Sequence, residues 1–405
     1  MSMHEHCRPT HCLLLALLVH AALGADTGVR LTELGPGAAD GLAGLDAAVV
    51  GDALYFVGRA GAASRALYRY DGVNPPELVP DSADPEPREL VAWNDKLYFQ
   101  GGASDRELWV YDPAGPTLAL ALDVRQGGNG IPQRFAVFGD RLCFGAYSTA
   151  NGFELFCWDG TNPVQLFDLA PGTDSSFPEQ LFSWGTRLVF GAQIGGEQQL
   201  WLYDGTNPPA QVDPSPAEPF DWPFGFASIA GDLYFTASDE EFTSRLWRYD
   251  GAVPPSRVSL TVSPWGEPGA PRGVLFVSAE EPATGVEDPE LFRLVDGQLR
   301  RAAPGVTVGA QMSLVDTGGA VAFVGESAPT SGVLLLFRYC GRSSLAPTDA
   351  FAASGAAVRS ERVVPFAGKL LLSAADAAHG EELWSVTLAH ILCDDFETGD
   401  AAGWP

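Results

Sequence analysis

Histidine, cysteine and cationic side chains are all scarce in this chain of 405 residues. Its 24 Lys and Arg residues face 51 Asp and Glu, a net charge of −27. A surface that acidic repels nucleic acid and anionic membranes and leaves solubility, or an affinity for cations, as its use. Of six histidines only His379 and His390 stand beyond residue 24, and no CxxC occurs, which argues against a zinc site. GxSxG, HExxH and a Gly-rich phosphate loop are missing as well. No stretch has the periodicity of a long amphipathic helix. Beyond residue 24 no run is long and apolar enough to span a bilayer as a helix.

The apolar run that does occur, "LLLALLVHAALG", closes residues 1–24 and ends in small side chains. It reads as a secretory signal peptide and predicts a chain that is secreted, displayed on the cell surface or held in the periplasm. The even number of cysteines after it, Cys143, Cys157, Cys340 and Cys393, favours disulfides in such a compartment. Cys143 and Cys157 are spaced symmetrically about a loop near residue 150, which predicts one bridge, and Cys340 with Cys393 would make the second.

What is abundant is Gly, Pro and a recurring phrase. "ALYRYDG", "ELWVYDP", "ELFCWDG", "QLWLYDG", "RLWRYDG", "ELFRLVDG", "LLFRYCG" and "ELWSVTL" align on Leu67, Leu108, Leu155, Leu200, Leu246, Leu291, Leu336 and Leu383. A period near 45 residues repeated this often marks a repeat architecture. Each copy carries four short apolar strands, A to D. The Leu-Trp pair is expected to pack between copies, and Asp-Gly to form the turn between strands C and D. Four antiparallel strands per copy predict an all-β fold, an eight-bladed β-propeller over residues 25–390. The last copy stops after strand C, and "VRLTEL" at 29–34 is expected to supply its missing strand. A seven-bladed ring is the alternative, because "PWGEPGAPRGVLF" leaves copy six little room for strand A.

"DLAPGTDSSFPEQLFSWGTRLVFGAQIGGEQQLWLYDGT" (168–206) and "LSAADAAHGEELW" (372–384) resemble the ELWxxDGT repeat of secreted bacterial proteins. "KLYFQGGASDRELWVYD" (96–112) is also similar to a kelch blade. The resemblance covers about 30–388 and implies an exported propeller without enzymatic activity. Pro113, Cys340 and the missing DGT of copy eight depart from the pattern. The acidic tail 391–405 contains "FETGDAAGW", which resembles a short signature closing many secreted bacterial proteins.

Variable loops before strand A and between strands B and C share one face, where binding is expected. Five residues before the A–B turn stand Glu89, Arg134, Gln180 and Arg362, with Arg88 adjacent. Polar side chains there are expected to ring the channel mouth and hold an anionic or hydroxylated ligand. The function expected is a monomeric, non-enzymatic interaction or adhesion-like scaffold for an extracellular protein or glycan. The alternative is a propeller enzyme acting on glycans or small alcohols. No cofactor is expected; the acidic loops leave room for calcium but lack EF-hand spacing.

Overall fold

The computed structural model describes residues 26–388, apart from 36–38, 61–63, 163, 260, 282–285, 310–311, 319, 327–332, 341–346 and 349. Among the described residues the sole helix is a short 3-10 turn, Pro271–Gly273. The first five repeats each fold into a separate four-stranded antiparallel sheet in sequence order. The third, for example, runs through Gln133–Phe138, Arg141–Ser148, Gly152–Trp158 and Gln165–Phe167. The remaining strands form one eleven-stranded sheet. Within it the hairpin groups of copies six, seven and eight are joined by single pairings, Thr307 with Glu326 and Leu334 with Val358.

The strands are apolar without alternation because both faces of each sheet are covered. Every residue of Gly152–Trp158 is buried. Hydrophobic clusters each combine two successive copies: Tyr55 and Leu67 with Leu97 and Phe99, Leu155 and Cys157 with Leu188 and Phe190, Phe276 and Leu291 with Phe323 and Phe337. The last copy packs on the first in the same way, with Leu371 and Leu383 against Leu54 and Phe56. Trp247 and Trp384 are buried in these contacts, whereas Trp109 and Trp201 are only half-buried.

First strands touch one another in succession, 47–50 with 88–93, then 133–138, 179–184 and 221–229. The Ser183 hydroxyl donates to the Val137 carbonyl on the neighbouring first strand. Strand A therefore lines the axis and strand D the rim, the radial order of a β-propeller. Copy six has the reduced first strand that its sequence suggests, Ser263–Pro264.

The N-terminal strand is Thr27–Arg30, two residues earlier than expected, and it pairs antiparallel with Glu382–Thr387. Leu31 extends the ladder by donating to the Leu383 carbonyl. The first and last repeats are thus tied by backbone as well as by side chains.

The Asp-Gly turns are as the repeat predicts. Gly72, Gly160, Gly205 and Gly251 adopt φ between 85° and 88°. Asp71 accepts the N–H groups of Val73 and Asn74, and Asp159 and Asp204 do the same at Thr161 and Asn162, Thr206 and Asn207. These bonds, led by those from the Asn side chains, hold the carboxylates below their usual range, Asp71 at about 2. Cys143 and Cys157 are directly opposed on neighbouring strands and are bridged, with Cα atoms 4.1 Å apart. Cys340 is disulfide-bonded too; Cys393, its expected partner, lies outside the described residues, as do the signal segment and the tail.

Deleting residues 26–35 exposes the edge of 382–387 and strips the partners from a buried carboxylate. The melting temperature should fall by roughly 10 °C, with aggregation on heating. Differential scanning calorimetry checks this, and an unchanged transition would exclude closure by this strand.

Candidate functional site

The face that carries the D–A and B–C loops is organised by a residue that the repeat phrase contains but whose role its spacing does not disclose. The Glu before Leu in "ELW" and "ELF" falls within the first three residues of an otherwise apolar strand at Glu107, Glu154 and Glu382. Glu107, Glu154 and Glu382 are all buried. Burying a carboxylate costs several kcal/mol unless hydrogen bonds compensate it, so its partners are structural. Glu107 accepts the N–H groups of Val124 at 2.6 Å and Gly130 at 2.7 Å. Glu154 accepts those of Leu169, Ala170 and Ser176 together with the Ser176 hydroxyl. Glu382 accepts from the Thr32 hydroxyl and from the Leu34 and Gly35 N–H groups. In each case one carboxylate holds a whole D–A loop against the start of strand C. Burial pushes the Glu107 carboxyl up to about 7, against the pull of the N–H groups of Val124 and Gly130. Glu154 is raised by burial as well.

The loops so held deliver the chain to strand A through a bulge. Pairing slips between Arg88 and Val91, Gln133 and Ala136, and Glu179 and Phe182. The residue in each slip has positive φ: Glu89 at 53°, Arg134 at 61°, Gln180 at 57°. Each such residue costs on the order of 1–2 kcal/mol, which recurs here at the mouth. Gly225 at φ 60° takes this position in copy five, where an added Cβ would lie 2.6 Å from the Glu267 Cα.

These positions interlock around the axis. Asp46 accepts the N–H groups of Glu89 at 2.7 Å and Leu90 at 3.1 Å. Glu89 in turn accepts the Arg134 N–H at 2.6 Å, and the Arg134 guanidinium meets Glu179 at 3.0 Å. Gln180 reaches past Gly225 to Glu267 at 3.0 Å. Arg362 donates to the Ala47 carbonyl at 3.1 Å and so links the last repeat to the first. Glu89 is open to solvent yet hemmed in by this ring; the crowding raises its pKa, the Arg134 N–H opposes the rise, and Asp46 adds to it.

Of the residues singled out in the sequence, Glu89 and Arg134 are in contact, and Gln180 and Arg362 occupy the same ring. Arg88 turns away to Glu86 at 3.4 Å. Asp46 and Glu267 are members that the alignment passes over. Asp46 stands five residues before Gly51, as the pattern requires. Glu267 stands five before Arg272, whose positive-φ turn is hidden in the irregular copy six. Beside Asp46 lies a cavity of 160 Å³ lined by Gly41, Gly44, Arg59 and Arg65. On the B–C loop of copy eight, at the same face, His379 Nδ1 lies 2.7 Å from Asp376 Oδ1. Among the described residues no group of three or more His, Cys, Asp or Glu is placed to hold a metal ion, and no helix is long and apolar enough to cross a membrane.

No protein-family model and no curated protein matches the sequence. Solved structures do resemble the fold. The β-propeller domain of the Trilobed protease from Pyrococcus furiosus is 12% identical, with 74% of this chain and 96% of that chain covered and a TM-score of 0.46. A Mycobacterium tuberculosis puromycin-hydrolyzing peptidase is 12% identical over 85% of this chain and 61% of its own, with a TM-score of 0.53. A puromycin hydrolase is 16% identical over 77% of this chain and 55% of its own, with a TM-score of 0.49. This chain therefore spans little more than half the length of the two hydrolases, and at these identities the likeness is one of fold: the protein is of the β-propeller class. The puromycin-hydrolyzing peptidase among the similar structures runs against the expectation of a non-enzymatic, adhesion-like scaffold, which is corrected on that finding. That expectation rested on missing catalytic motifs and on the resemblance to the ELWxxDGT repeat. The same fold can serve unrelated functions, so fold and motif inventory together do not settle the chemistry.

The raised pKa of Glu107 sets a sign for stability. Its free value is 4.5 and its folded value about 7, so the fold favours the protonated form. The stabilisation is complete below about pH 4.5 and is lost as pH rises through about 7. Glu107→Gln should therefore lose about 1–3 kcal/mol less stability than the parent between about pH 5 and about pH 8 in urea titrations. Parallel pH profiles for the two proteins would contradict it.

Proposed function

We propose that the chain is an exported eight-bladed propeller of the ELWxxDGT-repeat type, and that its axial mouth is the substrate entrance of an amide-hydrolysing activity. The count of eight is supported by the cores shared between successive repeats and between the last repeat and the first. Export is supported by the apolar N-terminal run and by the bridge between Cys143 and Cys157. The hydrolytic reading draws on the puromycin-hydrolyzing peptidase among the similar structures.

The observation that carries the proposal is the interlocked ring Asp46–Glu89–Arg134–Glu179. Charged side chains from successive repeats meet there on strained backbone, on the face with variable loops. Carboxylates and a guanidinium so held can bind both ends of an amide group, the N–H at Glu89 and the C=O at Arg134. The general base among the described residues is His379. Asp376 orients it through Nδ1, and Nε2, 4.0 Å from Glu33 Oε1, carries the proton transfer.

Full-length protein from the culture medium should hydrolyse members of a panel of aminoacyl and peptidyl nitroanilides. His379→Asn should lower kcat about a hundredfold with KM little changed. Arg134→Gln should act chiefly on KM. A folded preparation that hydrolyses no amide in the panel would contradict the proposal.

A further inference from the structure

One side of the mouth carries large aromatic side chains that the fold does not cover. Phe177 is 44% exposed, Trp222 51%, Trp265 57% and Phe242 92%. All four stand on the D–A and B–C face of copies four, five and six. Phe177 lies three residues before Gln180, Trp222 three before Gly225, and Trp265 two before Glu267. The Gln180–Glu267 hydrogen bond of 3.0 Å brings these starting points together across Gly225. Phe242 tips the B–C loop of copy five on the same face.

Three of these side chains stand on strained backbone. Phe177 has φ 45°, Trp222 57° and Phe242 57°, a region that bulky residues rarely adopt. Phe177 stacks on Phe153 with one face, ring centroids 5.7 Å apart, and presents the other to solvent. An uncovered apolar surface held this way on a soluble protein marks a contact site.

The occupant is chosen by charge. Carboxylates are interleaved with the rings: Asp221 beside Trp222, Glu240 and Glu241 beside Phe242, Glu267 beyond Trp265. Glu240 and Glu241 are exposed, and the whole chain carries −27. Aromatic faces attract cations through their quadrupole, and neighbouring carboxylates add to that attraction. An anionic polymer is repelled, and a neutral sugar gains nothing from the carboxylates beyond hydrogen bonds.

We infer that this aromatic and acidic crescent docks an Arg- or Lys-rich peptide segment and guides it to the mouth. The inference deepens the reading of the mouth as a substrate entrance and rests on it. It names the substrate class, a basic peptide, with guanidinium or ammonium groups laid on Trp222, Trp265 and Phe242.

The test is fluorescence anisotropy with a labelled Arg-Gly repeat peptide, its Glu-Gly counterpart, and calorimetry with a neutral oligosaccharide. The Arg peptide should bind and the Glu peptide should not. Trp222→Ala with Trp265→Ala should raise Kd about tenfold, and Phe242→Ser, at a side chain almost wholly in solvent, about threefold. Raising salt from about 50 to about 300 mM should weaken binding further. Val73→Ser, an exposed apolar position at a C–D turn on the opposite face, should change nothing. Equal affinity for the Glu peptide, binding of the oligosaccharide in preference, or unchanged binding in the aromatic variants would each overturn the inference. Loss of peptide binding by the parent protein with small-amide hydrolysis intact sinks the crescent alone; peptide binding without hydrolysis sinks the hydrolytic reading alone.

Discussion

A carboxylate buried at the start of a β-strand is the contact on which this face of the molecule depends. Glu154 illustrates the balance. Its desolvation is offset by the N–H groups of Leu169, Ala170 and Ser176 and by the Ser176 hydroxyl, of which Leu169 and Ser176 also donate to the Phe167 and Phe153 carbonyls. Neither side is stable without the other, so a loop of a dozen residues adopts one path. Glu107 and Glu382 repeat the arrangement. At Glu382 the captured loop belongs to the N-terminus, so the same device that shapes a loop also fastens the two ends of the chain.

Loop placement then fixes the mouth. Each held loop enters strand A through a bulge whose central residue is forced to positive φ. The bulge turns that residue's N–H toward the preceding repeat, where Asp46 or Glu89 accepts it. The backbone strain is therefore distributed around the axis and compensated by contacts between repeats. Gly225 is the exception that permits a longer reach: without a side chain at that point, Gln180 bridges to Glu267 over an intervening repeat.

The frame was readable in the sequence because it repeats. Leu67 to Leu383 recur at a nearly constant interval, the Asp-Gly turns need positive φ, and the truncated last copy calls for a strand from elsewhere. The opposed pair Cys143 and Cys157 followed from hairpin symmetry. The site was readable only in part. Glu89 and Arg134 share an aligned position, but nothing in their spacing reveals that one carboxylate receives the next residue's backbone N–H. Asp46 fitted the same alignment. Its strand, "AAVV", is too short to stand out. Glu267 was hidden by a turn made from Arg272 and Gly273 in place of the usual Gly-Asp. Arg88, one residue away from the ring, faces Glu86 because the bulge reverses the alternation of side chains. The Glu of "ELW" had a signal, an acidic residue opening a strand that is otherwise buried, and its partners lie too far along the chain for local patterns to identify. Function was the least legible, since the expected absence of enzymatic activity came from missing motifs and from a repeat resemblance, and a fold does not decide chemistry.

Amide hydrogen exchange in Glu154→Ala tests the central dependence most directly. If the buried carboxylate holds the loop, the amides of Leu169, Ala170 and Ser176 should exchange roughly ten- to a hundredfold faster than in the parent, while the strands of the neighbouring repeats keep their protection. Unaltered exchange at Leu169, Ala170 and Ser176 would show that the loop holds its path without the carboxylate, and would contradict the account.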